Sequence, residues 1–321
     1  MKLALKVLLA ALALNLSGFA HAQTYPDKPI RLVVSYPPGG STDIVGRAVA
    51  AKLADVLKAP VIVENRAGAS GTIGVAHVAK SAPDGYTLLL VAGAHAVAEN
   101  IYPSRGYDLA KDFDGISLAA RSGYLMVLNP SLAANSVQDV IALAKKKPGE
   151  LNYASTGTGG TPHLAAELFA SLTGTKMTAI QYKGDAPAIN DLIGGSVDLA
   201  FLGISSVSAH VSSGRLKALA VTTAQRTSVM PELPTLMEAG VEGYDFGTWW
   251  GILTPRGTPR PIVEQLAKAM QQVVTFDDLK ERFTGLGLDA AASGPDEFGD
   301  YVASEITKYR KIIQDAGIKL Q

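Results

Sequence analysis

The spacing of apolar positions changes repeatedly along the chain. Ile30-Arg31-Leu32-Val33-Val34 is a short β-branched run that predicts a strand, and Pro37-Pro38-Gly39-Gly40-Ser41 interrupts it. From Asp43 onward, Ile44, Val45, Ala48, Val49, Leu53, Val56 and Leu57 recur at helical spacing. Val61-Ile62-Val63 predicts the next strand, Thr72 to Ala79 a helix, Pro83-Asp84-Gly85 a turn and Tyr86 to Val91 a strand. This β-α-β-α order predicts an α/β protein whose sheets are mainly parallel and flanked by helices.

The middle of the chain repeats the theme. Leu125 to Leu128 predicts a strand, Val137 to Lys146 a helix ending near Pro148-Gly149, and Leu151 to Ala154 a strand before the loop Ser155-Thr156-Gly157-Thr158-Gly159-Gly160. Thr161-Pro162 carries a helix-start signal, with a hydroxyl at the cap and proline at the first helical position. Asp185 is expected to cap a short helix that stops at Gly194-Gly195. Val197 to Phe201 and Leu216 to Val221 predict strands, and Pro261 to Val274 and Pro295 to Ala316 predict long helices, the last packed across the first half of the fold.

The N-terminus changes the picture from fold to compartment. Lys2 and Lys6 precede an apolar run from Val7 to Leu16, and Ala20-His21-Ala22 offers a small-x-small cleavage site before Gln23. That is the pattern of a secretory signal peptide spanning residues 1–22, with export to the periplasm. The apolar run is shorter than the roughly 20 residues a spanning helix needs, and no later segment supplies a membrane anchor. The chain has no cysteine, which removes disulfides, thiolate metal sites, a Cys nucleophile and a lipidated N-terminus. After cleavage 321 − 22 = 299 residues remain, enough for two domains. Basic residues then number 29 − 2 = 27 against 29 acidic, and the near-neutral balance argues against nucleic acid as a partner.

One short echo points to a site. Gly39-Gly40-Ser41-Thr42-Asp43-Ile44 resembles Gly159-Gly160-Thr161-Pro162-His163-Leu164: both run Gly-Gly, hydroxyl, x, polar, aliphatic, and both join a strand to a helix. A helix start carries unpaired backbone N–H groups and a partial positive charge. Glycines let a ligand approach that backbone. Two such starts facing one another make an anion site without Arg or Lys. Read singly, each loop is equally well an ordinary tight turn. Asp43 and Asp185 at helix starts fit complements to the helix dipole better than ligands for an ammonium group or bridging waters, and His163 serves equally as a structural residue or a hydrogen-bond donor.

Enzyme signatures are incomplete. Gly157-Thr158-Gly159 begins like a dinucleotide fingerprint, but Pro162 stands where the third glycine belongs, and no P-loop is present. Gly68-Ala69-Ser70-Gly71 lacks the spacing of a nucleophile elbow. His77, His95, His163 and His210 form no metal-binding pair, so no metal and no cofactor is expected.

These residues bring a family into view. Tyr36-Pro37-Pro38-Gly39-Gly40-Ser41-Thr42-Asp43 resembles the first ligand loop of the substrate-binding proteins of tripartite tricarboxylate transporters, also called Bug receptors. The likeness continues through Glu64 to Gly74, Ala82 to Leu88, Tyr153-Ala154-Ser155, Pro162-His163-Leu164, Tyr182-Lys183-Gly184, Pro234 to Gly240 and Trp250-Gly251. Tyr36 departs from it, standing where many members carry Phe. The resemblance implies a type II periplasmic binding fold that closes on its ligand like a flytrap. Lobe 1 would take residues 23–121 plus 224–321 and lobe 2 residues 122–223, with hinges near 119–122 and 221–224. It also implies a carboxylate held by backbone amides and waters. Carried onto this chain, the first-lobe contacts are Pro38, Gly39, Ser41, Thr42 and Asp43, with Ala92 and Gly93. The second-lobe contacts are Ser155, Thr156, Gly157, Thr158, Gly159, Thr161 and His163, with Gly184, Asp185 and Ala186.

Three readings compete. A monomeric solute receptor, serving a membrane transporter or sensor, fits the export signal and the paired loops. An exported hydrolase or isomerase on the same scaffold would need a nucleophile with a base, and only His163 lies near scattered hydroxyls. The effector half of a transcription factor would need a DNA-binding module where the export signal stands. Candidate ligands are mono- and dicarboxylates, acidic amino acids and aromatic acids. A tricarboxylate is disfavoured because the loops hold no cation except Lys183.

Overall fold

In a computed structural model of the chain, the structure describes residues 25–102, 105–156 and 160–315. The signal peptide expected at 1–22 lies outside the described residues, as do Gly157, Thr158, Gly159 and Ala316. The first half builds the β-α alternation expected from its periodicity: β1 (Ile30–Val34), α1 (Ser41–Leu57), β2 (Val61–Asn65), α2 (Thr72–Ala79) and β3 (Thr87–Ala92). β1 lies between β2 and β3, parallel to both. All six residues of β3 are buried, which accounts for its unbroken apolar sequence. Immediately after it, α3 (Gly93–Ile101) starts without a loop.

The second half continues with β4 (Phe113–Leu128), α4 (Val137–Lys146), β5 (Asn152–Ser155), α5 (Thr161–Thr173), β6 (Thr178–Gln181), α6 (Asp185–Gly194), β7 (Leu199–Gly203), α7 (Ile204–Ser212) and β8 (Lys217–Val221). The chain then returns through β9 (Gly247–Pro255), α8 (Arg260–Val273), α9 (Asp277–Gly285), β10 (Asp289–Ala290) and α10 (Pro295–Asp315). The strand order is β2-β1-β3-β9-β4-β7-β5-β6, with β8 and β10 also paired to β4. The outer pairs β1–β2, β1–β3, β5–β6 and β5–β7 are parallel. Two helix starts differ by one residue from expectation. Gly160, with an extended backbone, and Gly184, with φ of 106°, take the cap positions, so Thr161 and Asp185 become first helical residues.

β4 organises the molecule. Residues 113–123 pair antiparallel with β9, whereas 124–128 pair with β7 and 125–128 with β8. One strand therefore belongs to two sheets. The second passage between the sheets runs beside it: the Thr222 hydroxyl accepts from the Tyr124 amide at 2.7 Å, and the Phe246 amide donates to the Thr222 carbonyl at 2.8 Å.

Each sheet has its own core, and a third is shared. Leu32, Val49, Ile252, Leu266 and Met270 pack the first sheet against α1 and α8. Val127, Leu192, Leu202 and Val207 do the same for the second. The shared cluster joins Leu89 and Val91 of the first sheet to Met126, Tyr153 and Phe201 of the second, and α10 contributes Phe298, Ile306 and Tyr309 to it. The seat of α10 is very close. A Cβ at Gly251 would stand 2.0 Å from the Phe298 ring, so β9 needs glycine there. Among the described residues no helix is long and apolar enough to cross a membrane.

Candidate functional site

A cavity of about 540 Å³ opens where the two sheets meet. Its walls come from sequence-distant elements that the β4 crossing brings together. From the first half come Ser41 and Ile44 of α1, Trp250 of β9 and the pair Leu286 and Leu288. From the second half come Thr156, Thr161, Pro162, Asp185, Gly203 and Ser205. Ser122, Gly123 and Tyr124 of β4 and Thr248 of β9 form the floor between them.

Ser41, Thr161, Asp185 and Ile204 are the first residues of α1, α5, α6 and α7. Four helix N-termini therefore converge on one space. No Lys or Arg lines it among the described residues, and Asp185 is its one carboxylate. The arrangement offers backbone N–H donors and the positive ends of helix dipoles, which suits an anion.

The first loop is rigidly braced from behind. Asp43 is buried, and one carboxylate oxygen accepts from the Gly39 amide at 3.0 Å and from Arg47 Nε at 2.9 Å. The other accepts from Asn65 Nδ2 at 2.8 Å, which also donates to the Tyr36 carbonyl at 3.1 Å. The Arg47 hydrogen bond, with help from Gly39 and Asn65, pulls the Asp43 pKa down to about 2. Asp43 thus shapes the loop that carries Pro38, Gly39 and Ser41. Thr42, also buried, accepts from Trp250 Nε1 at 3.1 Å and locks that indole into the wall.

His95 braces the same loop from deeper in the first half. His95 Nδ1 lies 2.9 Å from the Ala92 amide nitrogen and 3.1 Å from the Ala92 carbonyl oxygen, and Nε2 lies 2.5 Å from Ser35 Oγ. Complete burial lowers the His95 pKa to about 4 and keeps the ring neutral. Ala92 and Gly93 lie at this junction rather than on the cavity wall. A Cβ on Gly93 would meet Trp249 at 3.3 Å.

The second loop is arranged differently. Tyr124 is hydrogen-bonded to Thr161, and Ser206 donates to Asp185 at 2.8 Å. Ser155 donates to Gln181 at 3.1 Å and is buried. His163 stacks on Tyr153 with ring centroids 6.2 Å apart, and its Nε2 lies 3.7 Å from Glu167. Glu167 accepts from the Tyr153 hydroxyl at 2.6 Å. That pairing faces the interior of the second half. Burial lowers the His163 pKa.

Of the residues singled out in the sequence, the structure brings Ser41, Thr156, Thr161 and Asp185 to the cavity wall. Pro38, Gly39, Thr42 and Asp43 support it from the first loop, while Gly184 and Ala186 flank Asp185 at the start of α6. Gly157, Thr158 and Gly159 lie outside the described residues. Sequence reasoning missed Ile44, Ser122, Gly123, Tyr124, Ser205, Thr248, Leu286 and Leu288 as wall residues. Trp250 had a usable signal: adjacent residues on a strand face opposite ways. Trp249 turns inward, donating to Glu305 at 2.9 Å, while Trp250 turns to the cavity.

The family model for the receptors of tripartite tricarboxylate transporters matches residues 45–318. The chain belongs to this family. Among curated members of the receptor family, Protein BugT of Bordetella pertussis is 36% identical over 302 residues, covering 94% of this chain and 93% of BugT. A TctC solute-binding protein from Polaromonas, solved with no ligand, superposes with a TM-score of 0.84 at 33% identity, over 91% of this chain and 99% of that one. An R. palustris protein solved with adipate gives 0.68 at 36% identity, over 91% and 98%. MatC from Rhodopseudomonas palustris, with bound malate, gives 0.64 at 29% identity, over 90% and 100%. These are receptors and not enzymes, which removes the hydrolase alternative.

Proposed function

We propose that the chain is an exported receptor that captures a small organic acid in the cavity between the two sheets. It would then present the acid to a membrane transporter. The carrying observation is the convergence of four helix starts on a space that no Lys or Arg lines among the described residues. The carboxylate is met by N–H groups of the Ser41 and Thr161 helix starts, and the organic body lies against the remaining wall. Adipate and malate in two family structures support a carboxylate as the shared feature of the ligand.

Residues 23–121 plus 224–321 act as one lobe and 122–223 as the other. The hinges lie in β4 and in the passage beyond β8, where the chain crosses between sheets. The greater similarity to the ligand-free Polaromonas receptor than to the two acid-bound ones supports reading the present arrangement as the open form. The signal pattern at residues 1–22 supports cleavage on export, leaving a periplasmic monomer.

The test is a thermal-shift screen of the mature protein, unfolded and refolded first to remove any ligand carried through purification. A carboxylic acid at a hundredfold excess over its Kd adds about 2.7 kcal/mol to native stability, whereas neutral sugars add nothing. A raised melting temperature with acids alone is expected. A protein stabilised by sugars, or by no acid, would refute the reading.

A further inference from the structure

The cavity has two chemically distinct sides, and this carries the ligand class further. Ile44, Trp250, Leu286 and Leu288 give an apolar side, all from the first half of the fold. Thr156, Thr161, Asp185 and Ser205 give a polar side, all from the second. We propose that the 286–288 loop determines specificity. With Ile44 and Trp250 it selects acids that bear one carboxylate on an unsubstituted alkyl or aryl body, over hydroxylated or polycarboxylated acids. The proposal rests on the carboxylate-receptor reading above.

The loop is built to present its two leucines. Gly287 has φ of 72°, a left-handed turn that a side chain would strain, and it separates Leu286 from Leu288. The Ser122 hydroxyl donates to the Gly287 carbonyl at 2.7 Å and ties the turn to β4 at the cavity floor. The turn also abuts the opposite side. A Cβ on Gly287 would stand 3.1 Å from the Ser205 amide nitrogen, at the start of α7. Leu286 remains 36% exposed, an apolar side chain facing open space in the cavity. A ligand covering it removes that surface from water.

The charges point the same way. One carboxylate is met at the Ser41 and Thr161 helix starts. The two remaining starts, of α6 and α7, stand beside Asp185, which repels a second carboxylate, and against the leucines nothing replaces its hydration. A ligand hydroxyl against the leucines loses a hydrogen bond to water and gains none. Each methylene covered by the apolar side strengthens binding about three- to fourfold.

Titration calorimetry on the refolded mature protein tests this with butyrate, pentanoate, hexanoate and benzoate against succinate, malate and citrate. Affinity is expected to climb about threefold per methylene from butyrate to hexanoate, with hexanoate and benzoate at least tenfold above malate and citrate. Leu286→Ser, at a partly exposed position, should keep the melting temperature and weaken hexanoate three- to tenfold. Leu286→Lys should reverse the preference towards succinate. Malate or citrate binding as tightly as hexanoate, or hexanoate unaffected by Leu286→Ser, would overturn the specificity proposal while leaving the receptor reading intact. A protein that bound none of the seven acids would overturn both.

Discussion

The two helix-start loops of the cavity look alike in sequence and are used differently. Each reads Gly-Gly, hydroxyl, x, polar, aliphatic, and each half of the cavity also has an acidic residue at a helix start. In the first half that residue is Asp43, buried, with both oxygens tied to Gly39, Arg47 and Asn65. In the second it is Asp185, on the cavity wall, held by the Ser206 hydroxyl. Helix-dipole complementarity describes both positions and distinguishes neither. What separates them is the wider fold: β2 delivers Asn65 behind the first loop, while the start of α6 opens directly onto the space between the sheets. The first loop is therefore a braced platform, and it is the start of α6, not the second glycine loop, that carries the charge proposed to filter ligands.

The largest expected effect concerns the platform and its buried imidazole. His95 has a folded pKa of about 4 against 6.5 in the unfolded chain. Above pH 6.5 the ring is neutral in both states and costs nothing. As pH falls the unfolded chain takes up the proton first, so stability declines from 6.5 and the loss levels off near 4. A difference of about 2.5 units at 1.36 kcal/mol each gives about 3 kcal/mol. Chemical denaturation of the native protein and of His95→Gln between pH 7 and 4 measures it. The variant should show a slope shallower by that amount, and parallel slopes would mean that His95 is not buried neutral.

Next comes the direct contrast between the two acidic residues. Asp43→Ala leaves Arg47, Asn65 and the Gly39 amide without their acceptor and should cost about 2 kcal/mol, the range for hydrogen bonds to a charged group. Acid binding should weaken with it, because the loop loses its shape. Asp185→Asn keeps an acceptor for Ser206 and should change stability by less than about 0.5 kcal/mol, as for most substitutions outside a core. It should instead raise the affinity for succinate several-fold relative to hexanoate, read by calorimetry. Equal stability losses in the two variants would show that both acidic residues play the same structural part.

How much of this could be read from the chain follows from the range of each interaction. The βα turns were legible because glycines, hydroxyls and the following helical periodicity are local signals, and Ser41, Thr156, Thr161 and Asp185 of these turns line the cavity. The two-sheet strand β4 was legible only at its apolar end, Leu125 to Leu128. Its earlier residues include Gly115, Ser117, Arg121, Ser122 and Gly123, which read as loop until β9 pairs with them. Helix α7 was hidden because serines are weak helix formers and take four of its nine positions. Leu286 and Leu288 carry no motif at all. They become wall residues only because Ser122, about 165 positions away, holds the turn between them. His163 shows the converse, a polar residue in a motif loop whose ring faces Tyr153 and Glu167.

In the proposed receptor, helix starts hold a carboxylate in this cavity without a cation. The most direct measurement compares an acid with its isosteric neutral amide, benzoate against benzamide and hexanoate against hexanamide, by calorimetry on the refolded protein. The acids are expected to bind, and the amides to bind at least a hundredfold more weakly. The amide keeps the apolar body but presents hydrogen-bond donors where the site also presents donors. Amides binding as tightly as the acids would contradict it, and would make the apolar wall alone the source of affinity.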